Sequence, residues 1–399
     1  MAGAGKCTGL ALVTCAGVKR NADCRDGVRR IGKLYHYGVP GQIGTSGLDD
    51  LPSWEMVINP AGRDKAEENK VFSLRPGTFG GTVSWLKADG NDEEFTDGLS
   101  ATSAISQLEE FQRDNKPFFL AVGFYRPHTP YVAPAKYFEG YPIDKIQLAT
   151  GPMKDAPGMP AAAYASYKKE QDQLTDPMRK EILQAYFAST TFMDDQVGQV
   201  VDAVERLGLR EKTVIVFHSD HGYHLGDHGL WQKQSIWENS ARVPLIISVP
   251  GNANNGKNCP RPVELIDVHA TLADVCGLPL PQSDGVSLKP LLDNPKAAWD
   301  KPAFSQTLRG APVGTTAPNF DPKNLNKGKK GKGKGKAGGF FGVSVRTEQF
   351  RYTEWDEGRQ GATLIDMQND PRESKDLSKD PAHAETVAKM KAMLAGLKK

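Results

Sequence analysis

The sequence predicts an α/β domain with a largely parallel sheet between helices, followed by a small antiparallel α+β unit. Compact apolar runs of strand length alternate with longer stretches of helical period: PFFLAVGF, TVIVF from Thr213, and VPLIISV from Val243 to Val249. PFFLAVGF is apolar almost throughout, which suits a strand covered on both faces. Downstream, GVSVRTEQFRYTEWDEG and ATLIDMQNDPRES read as short neighbouring strands.

Each element follows from its residues. Ala101, Ala104, Ile105 and Leu108 share one helical face, and the polar RDNKP then leads into PFFLAVGF. Asp176-Pro177 marks a second helix start, since proline is tolerated in a first turn. Val197, Val200, Val201 and Val204 form its apolar face, and Gly208 closes it. A last helix is expected from about Pro381, with Val387, Met390, Leu394 and Leu397 on one side. The divisions expected are an atypical segment 1–26, an α/β domain 27–300 and a C-terminal subdomain 301–399.

Composition excludes several classes. The chain has 399 residues, enough for a sizeable core, and its net charge of +2 points to no partner. No run of eighteen apolar residues occurs, so no membrane span is expected. The start, MAGAGKCTGLALVTCAGVKR, lacks a basic region before its apolar run and makes a poor signal peptide. Five cysteines are too few and too scattered for a disulfide scaffold, and no CxxC occurs; a Cys259–Cys276 bridge stays open for an exported protein. In residues 326–339, NKGKKGKGKGKAGG, six lysines alternate mostly with glycine. That tract should be a solvated loop; it could attract polyanions, but without interleaved aromatics no specific nucleic-acid partner is expected.

The candidate chemistry lies at strand ends. Asp220-His221, just past TVIVFHS, offers a carboxylate and an imidazole side by side, suited to Ca²⁺ or another divalent cation, though Asp220 equally suits a cap. His128 is stiffened between Pro127 and Pro130, Lys33 and His36 stand three apart, and Lys233 follows in LWQKQSIWE. Together Lys33, His36, His128, Asp220, His221 and Lys233 suit a divalent cation and a tetrahedral oxyanion, with histidines near neutrality to move protons.

GKLYHYGVPGQIGTSGLDD, FFLAVGFYRPHTPYVAPAKYFEGYP, FHSDHGYHLGDHGLWQKQSIWENSARVPLII and VELIDVHATLADVCGLPLPQSDGVSL resemble the sulfatases, and within them the iduronate-2-sulfatase-like group of the alkaline phosphatase superfamily. The resemblance implies an alkaline-phosphatase-like fold and hydrolysis of sulfate esters, of a glycan or a small molecule. It also implies Ca²⁺ held by Asp220 and His221, lysines 33 and 233 on the sulfate oxygens, His36 beside a formylglycine nucleophile, and His128 on sulfate and leaving oxygen. Tyr223 would line the substrate, and the family is usually periplasmic, secreted or lysosomal.

The sequence departs from the family at its start. No Cys or Ser begins a C/S-x-P-x-R, and no Asp-Asp pair precedes Lys33; Asp49-Asp50 comes after it. The formylglycine precursor, a first central strand and half of the metal carboxylates are therefore expected to be missing, leaving a truncated hydrolase inactive or impaired. A phosphodiesterase or phosphonate hydrolase, or a non-catalytic polyanion binder, are the alternatives.

Overall fold

The computed structural model describes residues 8–14, 27–36, 38–47, 49–151, 158–279, 282–310 and 339–396. A large sheet is built from β1 (Thr8–Thr14), β2 (Val28–Gly32), β3 (Met56–Ile58), β6 (Phe119–Phe124), β8 (Thr213–His218) and β9 (Leu245–Ser248). Three shorter strands, β4 (Phe72–Ser73), β5 (Ser84–Ala88) and β7 (Tyr131–Pro134), make a second sheet. The order in the large sheet is β3-β2-β6-β1-β8-β9.

β2 pairs in parallel with both β3 and β6. β8 points the same way, because β1 lies between β6 and β8 and is antiparallel to each. β9 is antiparallel to β8. Four of the six strands thus deliver their carboxyl ends to one edge. The reversed β9 follows from its connection, which lacks a long crossover helix.

β1 corrects an expectation. The place for which no central strand was expected is filled by Thr8–Thr14, from within the atypical segment 1–26, in register from Thr8 opposite Phe124 to Val13 opposite Phe119. Leu10 and Leu12 are fully buried there. An apolar run flanked by two strands satisfies its backbone in either direction, and the TGLALVT stretch supplies the side chains that such a position requires.

The helices are α1 (Arg63–Ala66), α2 (Thr96–Arg113), α3 (Ala161–Tyr164), α4 (Asp176–Arg206), α5 (Glu238–Ala241), α6 (Asp267–Val275), α7 (Lys289–Asp293) and α8 (Ala384–Gly396). α2 buries Ala101, Ala104, Leu108 and Phe111 against β1, β2 and β6. α4 is capped by Thr175, whose hydroxyl accepts the Met178 N–H, and it ends where Gly208 takes φ +64°. Its 31 residues serve two cores. Ile182 to Phe192 pack with the small sheet, and Val200, Ala203 and Val204 with the large one. Val214 and Val216 are buried as well as Ile215, so β8 is covered on both faces.

The C-terminal part is antiparallel: β10 (Ala303–Arg309), β11 (Phe340–Arg346), β12 (Phe350–Trp355) and β13 (Ala362–Asp366), in that order. Val345, Tyr352 and Leu364 pack under Met390 and Leu394 of α8, with Val387 alongside. Leu397 and most of the Lys/Gly tract, 326–338, lie outside the described residues. The cysteines bring a second correction: Cys259 is a free, exposed thiol while Cys276 is disulfide-bonded, so the two do not form a bridge. No helix among the described residues is long and apolar enough to cross a membrane.

The placement of β1 has a direct test. Leu12→Ala should lower the unfolding free energy by about 3 kcal/mol, as for a fully buried leucine. It would be read as a lower urea midpoint at unchanged slope; a shift below about 0.5 kcal/mol would remove residues 8–14 from the core.

Candidate functional site

A cavity of about 340 Å³ opens at the carboxyl ends of β2, β6 and β8, the usual place for a ligand in an open α/β sheet. It is lined by Lys33, His36, His128, Asp220, His221, Tyr223 and Lys233, so all seven residues singled out in the sequence meet in one space. They come from segments as far as 200 positions apart, Lys33 and Lys233, and converge only because β2, β6 and β8 run the same way in one sheet and end at one edge.

Lys33 leaves β2 at a close crossing of two glycines. A Cβ at Gly32 would lie 2.1 Å from the Gly123 carbonyl oxygen, and one at Gly123 would lie 1.9 Å from that of Lys33. Gly32 also adopts φ +70°. With no side chains there, the Lys33 N–H donates to Gly123 O at 2.9 Å, and the lysine is seated at 2% exposure. His36 follows in the turn, its ring 6.2 Å from that of His128.

His128 sits in a turn after β6, where its N–H donates to Tyr125 O at 2.8 Å. Its Nδ1–H donates to the Thr129 carbonyl at 2.7 Å, which leaves Nε2 as the acceptor nitrogen of the neutral ring. Burial, reinforced by the charges of Lys233 and Lys33, holds its pKa well below the ordinary histidine range.

After β8, Ser219 Oγ donates to the His221 carbonyl at 2.8 Å, and His221 Nδ1–H donates to Gly222 O at 2.6 Å. That turns His221 Nε2 toward Asp220, 3.4 Å from Oδ2. A Cβ at Gly222 would fall 2.0 Å from the Asn239 carbonyl oxygen, so α5 crosses directly behind this pair. Tyr223 donates its hydroxyl to Trp231 O at 3.1 Å and lies 5.9 Å, ring to ring, from Tyr186 on α4.

The two histidines that follow Tyr223 are structural. His224, fully buried, donates Nδ1–H to Asp227 O at 3.1 Å and pairs Nε2 with Ser235 Oγ at 2.8 Å. His228 stacks on Trp237 with ring centroids 4.2 Å apart. Both brace the loop that carries Lys233, and neither lines the cavity. Asp49, the nearest member of an Asp-Asp pair, is spent on buried Arg30.

Sequence reasoning missed the supports. Arg126 is buried, pairs with Asp64, and donates to Pro130 O at 2.6 Å and His128 O at 3.3 Å. Asp97 accepts the N–H groups of Tyr125 and Arg126 at 2.8 and 2.9 Å; burial pushes its carboxyl up to about 6. From the C-terminal sheet, Arg309 donates to Gln234 O at 3.0 Å and Arg351 to Ile236 O at 3.1 Å, one and three residues after Lys233. Only the RP dipeptide hinted at the first of these, and nothing local signals the second.

With that arrangement in view, the chain can be placed. Residues 53–278, more than half of it, match the Sulfatase family model, and the chain belongs to the sulfatase family. It is similar to iduronate 2-sulfatase of Mus musculus, 29% identical over 391 residues that cover 82% of this chain and 67% of the relative. The Homo sapiens iduronate 2-sulfatase is 30% identical over 293 residues, 63% of this chain and 52% of that protein, so the chain spans between half and two thirds of these relatives. The phosphonate monoester hydrolase of Agrobacterium radiobacter shares the fold, with TM-score 0.67 at 19% identity, covering 93% of this chain and 77% of that one.

The buried histidines set an acid limit. Burial pushes His224 down to about 3 and His228 down to about 4. The unfolded chain therefore takes up protons below about pH 6.5 that the folded chain refuses. Stability is full above pH 6.5 and falls as pH drops toward 4. Urea midpoints at pH 7 and 5 should show the loss, and His224→Gln should flatten it; an unchanged slope in that variant would discount His224.

Proposed function

We propose that this chain binds sulfate esters of carbohydrates in the cavity and, as it stands, turns them over barely or not at all. The binding half is supported above all by the convergence of Lys33, Lys233, His36 and His128 on one cavity. Two ammonium groups supply charge for a tetrahedral oxyanion, and His128 Nε2, an acceptor in the neutral ring, would donate to a sulfate or bridging oxygen in the imidazolium form that a bound anion favours. In this reading Lys33 and Lys233 hold the sulfate oxygens, and His128 contacts the sulfate and the ester oxygen. His36 flanks the place where a nucleophile would act, and Tyr223 lines the sugar side. The iduronate-type substrate rests on the names of the mouse and human relatives.

The second half rests on what surrounds Asp220 and His221. These are the donors we propose for a divalent cation such as Ca²⁺, which would polarise the sulfate oxygens if bound. The described residues hold no group of three His, Cys, Asp or Glu placed to share an ion. Ca²⁺ takes six to eight oxygens, so this donor pair does not fit it by itself. The reversed β1 explains the shortfall. Its amino end, opposite Phe124 and His218, lies at the cavity edge of the sheet, and residues 1–22 contain no carboxylate. No C/S-x-P-x-R supplies a formylglycine, so no residue of the set provides the oxygen that would attack sulfur. The disulfide at Cys276 agrees with an oxidising compartment, and export is part of the proposal.

Titration calorimetry with a sulfated monosaccharide tests the binding half. Lys33→Ala and Lys233→Ala should each weaken binding at least tenfold, about 1.4 kcal/mol. Binding unchanged in both variants would sink it. A phosphodiester and a phosphonate monoester belong in the same panel, and tighter binding of either would move the proposal to that chemistry. Calcium should bind no tighter than the millimolar range. Hydrolysis of 4-nitrophenyl sulfate should not rise above the blank; robust turnover would overturn the second half.

A further inference from the structure

The cavity carries more positive charge than a sulfate monoester calls for. Three lysines line it, Lys33, Lys168 and Lys233, against the single carboxylate of Asp220. Lys33 and Lys233 act together, since both press on His128. Lys168 stands apart from them. It begins the short turn 168–173, its Nζ donates to the Gly81 carbonyl, and its charged neighbours are Glu170 and Arg75. The cavity thus has two separated cationic poles.

Gln171, one turn on, is a second and independent sign of a ligand. It also lines the cavity and is 3% exposed. Its Nε2 donates to Trp231 O at 3.0 Å, the carbonyl that also accepts the Tyr223 hydroxyl, while Oε1 is buried without a hydrogen bond. A buried acceptor left open is costly unless a donor arrives to meet it. Lys168 is itself partly buried, and that burial holds its pKa below the ordinary lysine value. An ammonium in such a place gains from an anion more than a solvated one does.

Resting on the sulfate-ester reading above, we propose that Lys168 and Gln171 form a second subsite, in which Lys168 binds a further anionic group of the substrate and Gln171 accepts a hydroxyl or N–H beside it. The substrate class is then a sugar ester carrying two negative groups, a sulfate at the Lys33–Lys233 pole and a second sulfate or a carboxylate at Lys168. Neutral alcohol or aryl sulfates would leave Lys168 without an anion and bind less tightly.

The test uses glucosamine 2-N,6-O-disulfate and N-acetylglucosamine 6-sulfate, titrated into the full chain by calorimetry at one fixed ionic strength. The wild type should bind the disulfate about tenfold more tightly. Lys168→Met should reduce that preference to within about twofold while moving the monosulfate by less than about twofold. Lys168→Arg, which keeps the charge and a donor for Gly81, should retain most of it, and a merely structural lysine would instead lose affinity for both probes alike in Lys168→Met. Equal losses on both probes, or no preference in the wild type, would overturn the subsite alone. If the wild type binds neither probe, the sulfate-ester reading falls and the subsite with it.

Discussion

Arg126 is fully buried, and the way its charge is met determines the shape of the site's edge. An isolated guanidinium in that position would be strongly unfavourable, so each of its contacts is a condition of the fold. Asp64 from α1 supplies the countercharge and also accepts the N–H and hydroxyl of Thr96 at 2.9 and 2.6 Å. Asp97 accepts the backbone on either side of the Tyr125–Arg126 bond. One network therefore ties α1, the first turn of α2 and the end of β6 together. The carbonyls of His128 and Pro130 are held by the same arginine, so the direction of the His128 ring is set by groups far from it in sequence.

The opposite wall is held in a comparable way by the C-terminal sheet. Arg309 and Arg351 reach out of β10 and β12 to carbonyls beside Lys233, and Arg351 also meets Glu238 and Glu373. Glu373 accepts the Glu238 N–H at 2.6 Å, and burial pushes its carboxyl up to about 7. The cavity is thus closed by two parts of the chain, one giving His128 its aim and the other holding the Lys233 loop. This explains why a segment far from the strand ends matters to the site without lining it.

The middle of the sheet presents the contrast. β1 joins β6 and β8 and completes the core, yet it brings no carboxylate to the edge where Asp220 stands. Packing requirements and chemical requirements are separable at that position. Apolar side chains suffice for the first, whereas a metal shell needs oxygen donors at one end of the strand.

By itself the sequence determined what depends on neighbours along the chain. Helical period placed α2, α4 and α8, continuous apolar runs placed β6 and β8, and the strand-end motifs named Lys33, His36, His128, Asp220, His221 and Lys233. Tertiary structure alone decided the rest. Strand direction leaves no local trace in an all-apolar run, so the reversed β1 and β9 became visible only through their pairings. Asp64 and Arg126, 62 positions apart, and Arg351 with Ile236, 115 apart, are joined by burial rather than by spacing. Nothing in its own stretch of sequence marks Lys168, which the fold brings to the wall of the cavity. Periodicity records which face of an element is buried, and only the packed chain records what that face is buried against.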